Sequence, residues 1–228
     1  MPAPAPPRQR RHARGFTLVE LLVAMAALAL MAALSWRGID GMLRARDAMD
    51  ERSGQLQTLQ TALAQWGADL DAMQVLPGIA PIDWNGQVLR TVRSAPGGSA
   101  DGLVVVGWST RGEDGALRWL RWQSAPVSDR AALAGAWEQA AQWAQNPLES
   151  LRQRETPVVA VAGWRIYFFR DDAWTNPMSS DARQGPGGAS FGQAPQGVRL
   201  ELELPTGAPV AGLLTRDWVR PTVSGGKS

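Results

Sequence analysis

Arg14-Gly15-Phe16-Thr17-Leu18-Val19-Glu20, running into Leu21-Leu22-Val23-Ala24-Met25-Ala26-Ala27-Leu28-Ala29-Leu30-Met31-Ala32-Ala33-Leu34, decides how this chain is built. Residues 1–15 carry Arg8, Arg10, Arg11 and Arg14 and no acid, so they belong on the cytoplasmic side of a membrane. From Leu21 to Trp36 no side chain is charged, and Arg37 ends the run. Counted from Phe16, the segment is about 21 residues, roughly 31 Å of helix, enough to cross the hydrocarbon core. Gly15 has no side chain, which lets a peptidase approach the backbone closely. Glu20 is the exception in an apolar segment. An acid at membrane depth costs about 2.5–3.5 kcal/mol on insertion scales, so it needs a partner or a task. In a helix that starts at Phe16, Glu20 lies one turn along, on the face of a free α-amine.

An ordinary secretory signal is cut after its apolar region, at a small-x-small triplet. Ala24-Met25-Ala26 supplies one, so spacing alone leaves that alternative open, but it does not account for Glu20. The whole arrangement resembles the class III signal of type IV prepilins and type II secretion pseudopilins, with G-F-T-L-V-E matching residue for residue. The resemblance implies a cut by the prepilin peptidase between Gly15 and Phe16 and methylation of the new N-terminus at Phe16. It also implies that Glu20 pairs with the N-terminal amine of a neighbouring subunit and so sets axial register during assembly.

Composition narrows the chemistry. The formal charge of +2 dissolves on processing: without the four leader arginines, the 23 basic side chains become 19 against 21 acidic ones. Nucleic-acid binding has little support in that balance. There is no cysteine, the single histidine is His12 in the leader, and the one lysine is Lys227. Ser-His, Cys-His and histidine-metal chemistry are therefore closed to the mature chain, and Ser-Lys is disfavoured. No enzyme, no cofactor and no metal are expected.

Beyond Arg37 the helix continues. Leu56, Leu59, Leu63, Trp66, Leu70 and Met73 recur at spacings of three and four, a single helical face. Ile39, Leu43, Arg46 and Met49 extend the stripe weakly, opposite Arg44, Asp47, Asp50, Glu51 and Arg52. Gly38, Gly41 and Gly54 are soft points, and Pro77-Gly78 stops a helix expected from Phe16 to about Met73.

Short strands follow. Gln87–Arg93 alternates polar and apolar, Leu103–Trp108 is of buried type, and Arg111–Gly115 joins it to Leu117–Trp122 in a hairpin with separate Leu/Trp and Arg/Gln faces. A helix is expected from Asp129 to Gln145, ended by Asn146-Pro147. Val158–Val161, Trp164–Phe169, Val198–Leu204 and Ala211–Trp218 are later strands, with an exposed loop over Asp181–Gln196. The expected fold is α+β: a long N-terminal helix, half membrane-spanning and half amphipathic, packed on an antiparallel pilin-like head. Its expected divisions are a leader 1–15, a transmembrane helix 16–36, an amphipathic helix 37–75, a β-rich head 76–221 and a tail 222–228.

Several stretches are similar to the J-type minor pseudopilins of type II secretion. They are Gly38-Ile39-Asp40-Gly41-Met42-Leu43-Arg44-Ala45-Arg46, the leucine-rich helix from Leu56 ending in Asp69-Leu70, and Ala194-Pro195-Gln196-Gly197-Val198-Arg199-Leu200-Glu201-Leu202. Glu20 speaks against the K-type, which lacks that acid. The stretch Val127–Arg154 has no counterpart in the family pattern. The resemblance implies an inner-membrane protein with a cytoplasmic N-terminus and a periplasmic head. Its implied partners are the prepilin peptidase, I- and K-type minor pseudopilins and the major pseudopilin. A minor pilin of a type IV pilus or competence system shares the same motif, and a membrane-anchored periplasmic hydrolase or binding protein is the reading from another class.

Other candidates are weaker. Asp171-Asp172 beside Trp174, with Asp181, offers oxygens for Ca²⁺ but lacks EF-hand spacing, and adjacent acids at a strand end are more often solvated. Among 11 tryptophans, Trp119, Trp122, Trp164 and Trp174 could form a recognition surface or fill the core. Gly185-Pro186-Gly187-Gly188 lacks dinucleotide spacing. Gly225-Gly226-Lys227-Ser228 has Pro221 where a P-loop has its first glycine. No feature holds two carboxylates at a hydrolytic separation.

Overall fold

The computed structural model describes residues 16–113, 115–178 and 194–221. The chain divides into two compact units, residues 1–51 and 52–228. Helix α1 (Leu18–Asp71) begins in the first unit and ends in the second. In the first unit the apolar side chains from Phe16 to Leu34 are bare, and α1 is long and apolar enough to cross a membrane. Past Arg37, exposed ion pairs one turn apart join Arg44 to Asp40 at 2.7 Å and Arg46 to Asp50 at 3.5 Å. Helix geometry persists through Gly38, Gly41 and Gly54, so none of the expected soft points breaks it.

The second unit is α+β, as expected. Strands β1 (Ile82–Trp84), β2 (Val88–Ala95), β3 (Gly98–Glu113), β4 (Ala116–Gln123) and β5 (Glu155–Val161) form one antiparallel sheet in chain order. Helices α2 (Arg130–Gln145) and α3 (Glu149–Arg152) lie between β4 and β5 in sequence. A second antiparallel sheet, ordered β7-β6-β8-β9, comprises β6 (Gly163–Arg170), β7 (Ala173–Thr175), β8 (Gly197–Leu204) and β9 (Gly212–Val219). The expected loop over Asp181–Gln196 lies outside the described residues except at its last three positions, and the tail 222–228 lies outside them entirely.

Two apolar cores hold this unit. The first joins the α1 stripe (Leu59, Ala62, Trp66, Leu70) to Leu89, Val106, Trp108 and Trp119 of the five-stranded sheet. It also takes in Ile166, Phe168, Val198, Leu200, Leu202 and Trp218 of the other sheet. The second packs Leu133, Ala136, Ala140 and Trp143 of α2 on Val88, Val92, Val105, Leu120 and Trp122. The five-stranded sheet is thus covered on both faces. That corrects the expected hairpin with separate faces: Trp119 enters the first core, while Leu120 and Trp122 enter the second. A sheet between two apolar layers needs no polar face, so strict alternation is lost.

Helix α2 lies within the stretch Val127–Arg154, and its seat is specific. Asp129 caps it, its side chain accepting from the Ala132 N–H at 2.8 Å. Gly107 of β3 clears space for the Trp143 ring, which would stand 3.2 Å from an added Cβ. Glu155 of β5 accepts from Trp143 Nε1 at 2.6 Å and from Arg111 Nη1 at 2.8 Å, tying helix to sheet.

Between β6 and β7 the chain reverses through Asp171 and Asp172, with φ of 48° and 61°. Two successive positive-φ residues between paired Arg170 and Ala173 make the tight turn that normally carries Asn-Gly. A left-handed L-residue costs about 1–2 kcal/mol. Asp172→Gly is therefore expected to raise stability by about 1 kcal/mol, read as an upward shift of the thermal midpoint of the detergent-solubilised chain.

Candidate functional site

At the N-terminal motif, Gly15 lies outside the described residues, and Phe16 is 86% exposed. Thr17 precedes α1, and its hydroxyl accepts from the Glu20 N–H at 3.3 Å. Glu20 reaches back: its Oε2 accepts from the Thr17 N–H and from the Thr17 hydroxyl, both at 2.9 Å. This reciprocal pairing is a capping box, and it explains why the helix starts at Leu18 rather than Phe16. Glu20 Oε1 has no partner among the described residues, so the carboxylate keeps one oxygen for a further donor. The hydrogen bonds join Thr17 to Glu20 and none of them involves Phe16; Thr17 as the positioning group was legible in T-x-x-E but was not singled out.

The largest polar assembly was missed by sequence reading. Asp69 is wholly buried on α1. Its Oδ1 accepts from Arg93 Nη1 at 2.5 Å, Arg121 Nη2 at 2.8 Å and Gln65 Nε2 at 2.9 Å. Its Oδ2 accepts from Arg121 Nε at 2.7 Å and Trp108 Nε1 at 2.9 Å. One carboxylate faces two guanidiniums, and the surplus charge is spread onto neutral acceptors: Gln123 Oε1 for Arg121 and the Ser94 carbonyl for Arg93. The last turn of α1 has no basic residue, so the sheet supplies the cations that its partially negative end favours. Asp71, also in that turn, accepts from Trp218 Nε1 at 2.7 Å and joins β9 to it. The signal in the sequence was an acid on the apolar stripe, three residues past Trp66.

The remaining candidates take structural places. Trp119 and Trp122 are fully buried, so they fill core and form no recognition surface. Trp66 and Trp119 bury indole N–H groups with no acceptor, a cost of about 1–3 kcal/mol each, so apolar area outweighs polar pairing there. Trp164 is partly buried, edge-on to Trp84 at 4.7 Å. Trp174 packs on Phe169 at 5.2 Å beneath the Arg199 guanidinium at 4.3 Å. Asp171-Asp172 form the turn described above; Asp181, Gly185–Gly188 and Gly225–Ser228 lie outside the described residues. No group of three or more His, Cys, Asp or Glu side chains able to hold a metal occurs among the described residues. On the outer face of the second sheet, Arg199 donates to both oxygens of Asp217 at 2.7 Å, which holds the Asp217 carboxyl below its ordinary range.

Residues 10–36 match the prokaryotic N-terminal methylation motif. The chain carries a prepilin-type N-terminus. It is also 36% identical over 67 residues to the type II secretion system protein J of Klebsiella pneumoniae, covering 29% of this chain and 33% of the relative. The chain thus spans about a third of the length of the curated relative it matches. Both matches liken the chain to proteins with a prepilin-type N-terminus, the relative being a type II secretion system protein.

Asp69→Asn is expected to cost about 3–5 kcal/mol, because Arg93 and Arg121 would keep buried charge without a counter-ion. Asp40→Asn, in an exposed pair, should cost under about 0.5 kcal/mol. Urea unfolding of the two variants side by side, with tryptophan fluorescence reporting the head, measures the difference.

Proposed function

We propose that this chain is a J-type minor pseudopilin that assembles at the tip of a type II secretion pseudopilus and primes its growth for protein export across the outer membrane. The observation that carries the reading is the G-F-T-L-V-E motif, with Glu20 in a capping box ahead of a bare apolar helix. On this reading the prepilin peptidase cuts after Gly15, and Phe16 becomes the methylated N-terminus. The helix anchors the chain once in the inner membrane, with a cytoplasmic N-terminus and a periplasmic head. The divisions are the leader 1–15, the membrane helix 16–36, the amphipathic helix 37–75, the head 76–221 and the tail 222–228. The free Oε1 of Glu20 accepts the Phe16 amine of a neighbouring subunit, and Thr17 holds the carboxylate in place for it. The partners are I- and K-type minor pseudopilins, with the major pseudopilin below them. A minor pilin of a type IV pilus or competence system uses the same N-terminus; the J-like relative favours the secretion system.

The intact mass and N-terminal residue of the membrane-extracted chain, with and without the prepilin peptidase, test this. The expected product starts at N-methylated Phe16 and appears only when the peptidase is present. A chain that keeps its leader, or is cut after the apolar run, sinks the reading. Glu20→Ala is expected to be processed as wild type yet to be lost from cross-linked complexes with the other pseudopilins, which separates cleavage from assembly.

A further inference from the structure

The two sheets of the head present four terminal strands, and they are not alike. β1 and β7 are three residues each, too short to template another strand. β5 carries Pro157, and its pairing with β4 shifts register between Trp119 and Leu120. Both devices blunt an edge. β9 has neither. It runs eight residues in unbroken register with β8, from Leu204↔Gly212 to Gly197↔Val219. No strand among the described residues pairs with its other side. Leu213 and Val219 stand 58% and 71% exposed along it.

The β9 edge is also held rigid. Asp217 is clamped to β8 by the bidentate Arg199 pair, and Trp218 is buried and bonded to Asp71 of α1. A strand fixed before binding loses little entropy on docking. Its charge is one-sided: Arg216 and Arg220 are exposed and have no carboxylate partner among the described residues, while Asp217 is already paired. A second copy of β9 brings no acid to these arginines, because its one carboxylate, Asp217, is already paired. An antiparallel self-pairing centred on Arg216 sets it opposite Arg216 of the other copy, and like charges directly opposed destabilise that register.

We propose that the open edge of β9 receives an extended strand from a different polypeptide, one that sets carboxylates beside Arg216 and Arg220. Backbone hydrogen bonds along the edge supply affinity, and the two arginines select the partner and its direction. The inference rests on the assembly reading above and names the surface through which the head would join a neighbour.

The test uses the full-length chain in detergent with the purified I- and K-type pseudopilins of the same system as probes. Binding is titrated, and amide hydrogen exchange is followed along β9. The expected result is slowed exchange over Gly212–Val219 in one complex, with R216E/R220E weakening that complex about tenfold or more at unchanged thermal midpoint. The control pair R152E/R154E, which makes the same charge change at exposed positions away from β9, should leave binding within about twofold. Unchanged β9 exchange in the complex, or equal weakening by the control pair, overturns the edge proposal while leaving the assembly reading intact. If neither pseudopilin binds the wild-type chain, the assembly reading fails and this one with it.

Discussion

The buried carboxylate of Asp69 is the constraint on which the head depends. It sits on the apolar stripe of α1 and takes hydrogen bonds from β2, β3 and β4 at once. Apolar burial alone would let a helix slide or rotate on a sheet at modest cost, because dispersion and area are nearly indifferent to small shifts. A carboxylate with five donors is not indifferent. Moving it by an ångström or two strands two guanidiniums inside the protein, so the register of α1 against the sheet is specified far more sharply than packing would specify it. That register matters for a protein in which the same helix continues from an apolar stretch long enough to cross a membrane.

The second constraint is that the five-stranded sheet is covered twice. One face meets α1 and the other meets α2, and Gly107 lets the Trp143 ring lie directly on β3. With both faces dry, the strands hold tryptophan on either side, and the usual reason for polar and apolar residues to alternate disappears. The helix between β4 and β5 is therefore not an appendage. Removing it would bare Val88, Val92, Val105, Leu120 and Trp122 together.

Much of the plan was legible in the chain. The capping box, the uncharged run and the stripe from Leu59 to Leu70 are local patterns, separated by three or four residues, and they behave as their spacing indicates. Helix α2 was placed within a residue of its observed start because Asp129 and Asn146-Pro147 are local signals too. Strands β1 and β7 were not foreseen: three residues are too few to show a period. That Trp119 enters one core while Leu120 and Trp122 enter another was also hidden, since nothing local to β4 shows that a second helix covers its far face.

By itself, then, the sequence determined the prepilin-type N-terminal motif, the membrane-length helix, the lack of cysteine, and an α+β head. Each follows from composition or from neighbours within a helical turn. The tertiary structure alone decided that Asp69 is buried, and that its counter-ions are Arg93 and Arg121, 24 and 52 residues away. It alone decided that Trp218 reaches back 147 residues to Asp71 and that β9 comes last in its sheet among the described residues. The physical reason is the same in each case. An arginine on a strand reads as solvated until a second element brings a carboxylate to it, and a strand reads as paired until the sheet order shows which one comes last.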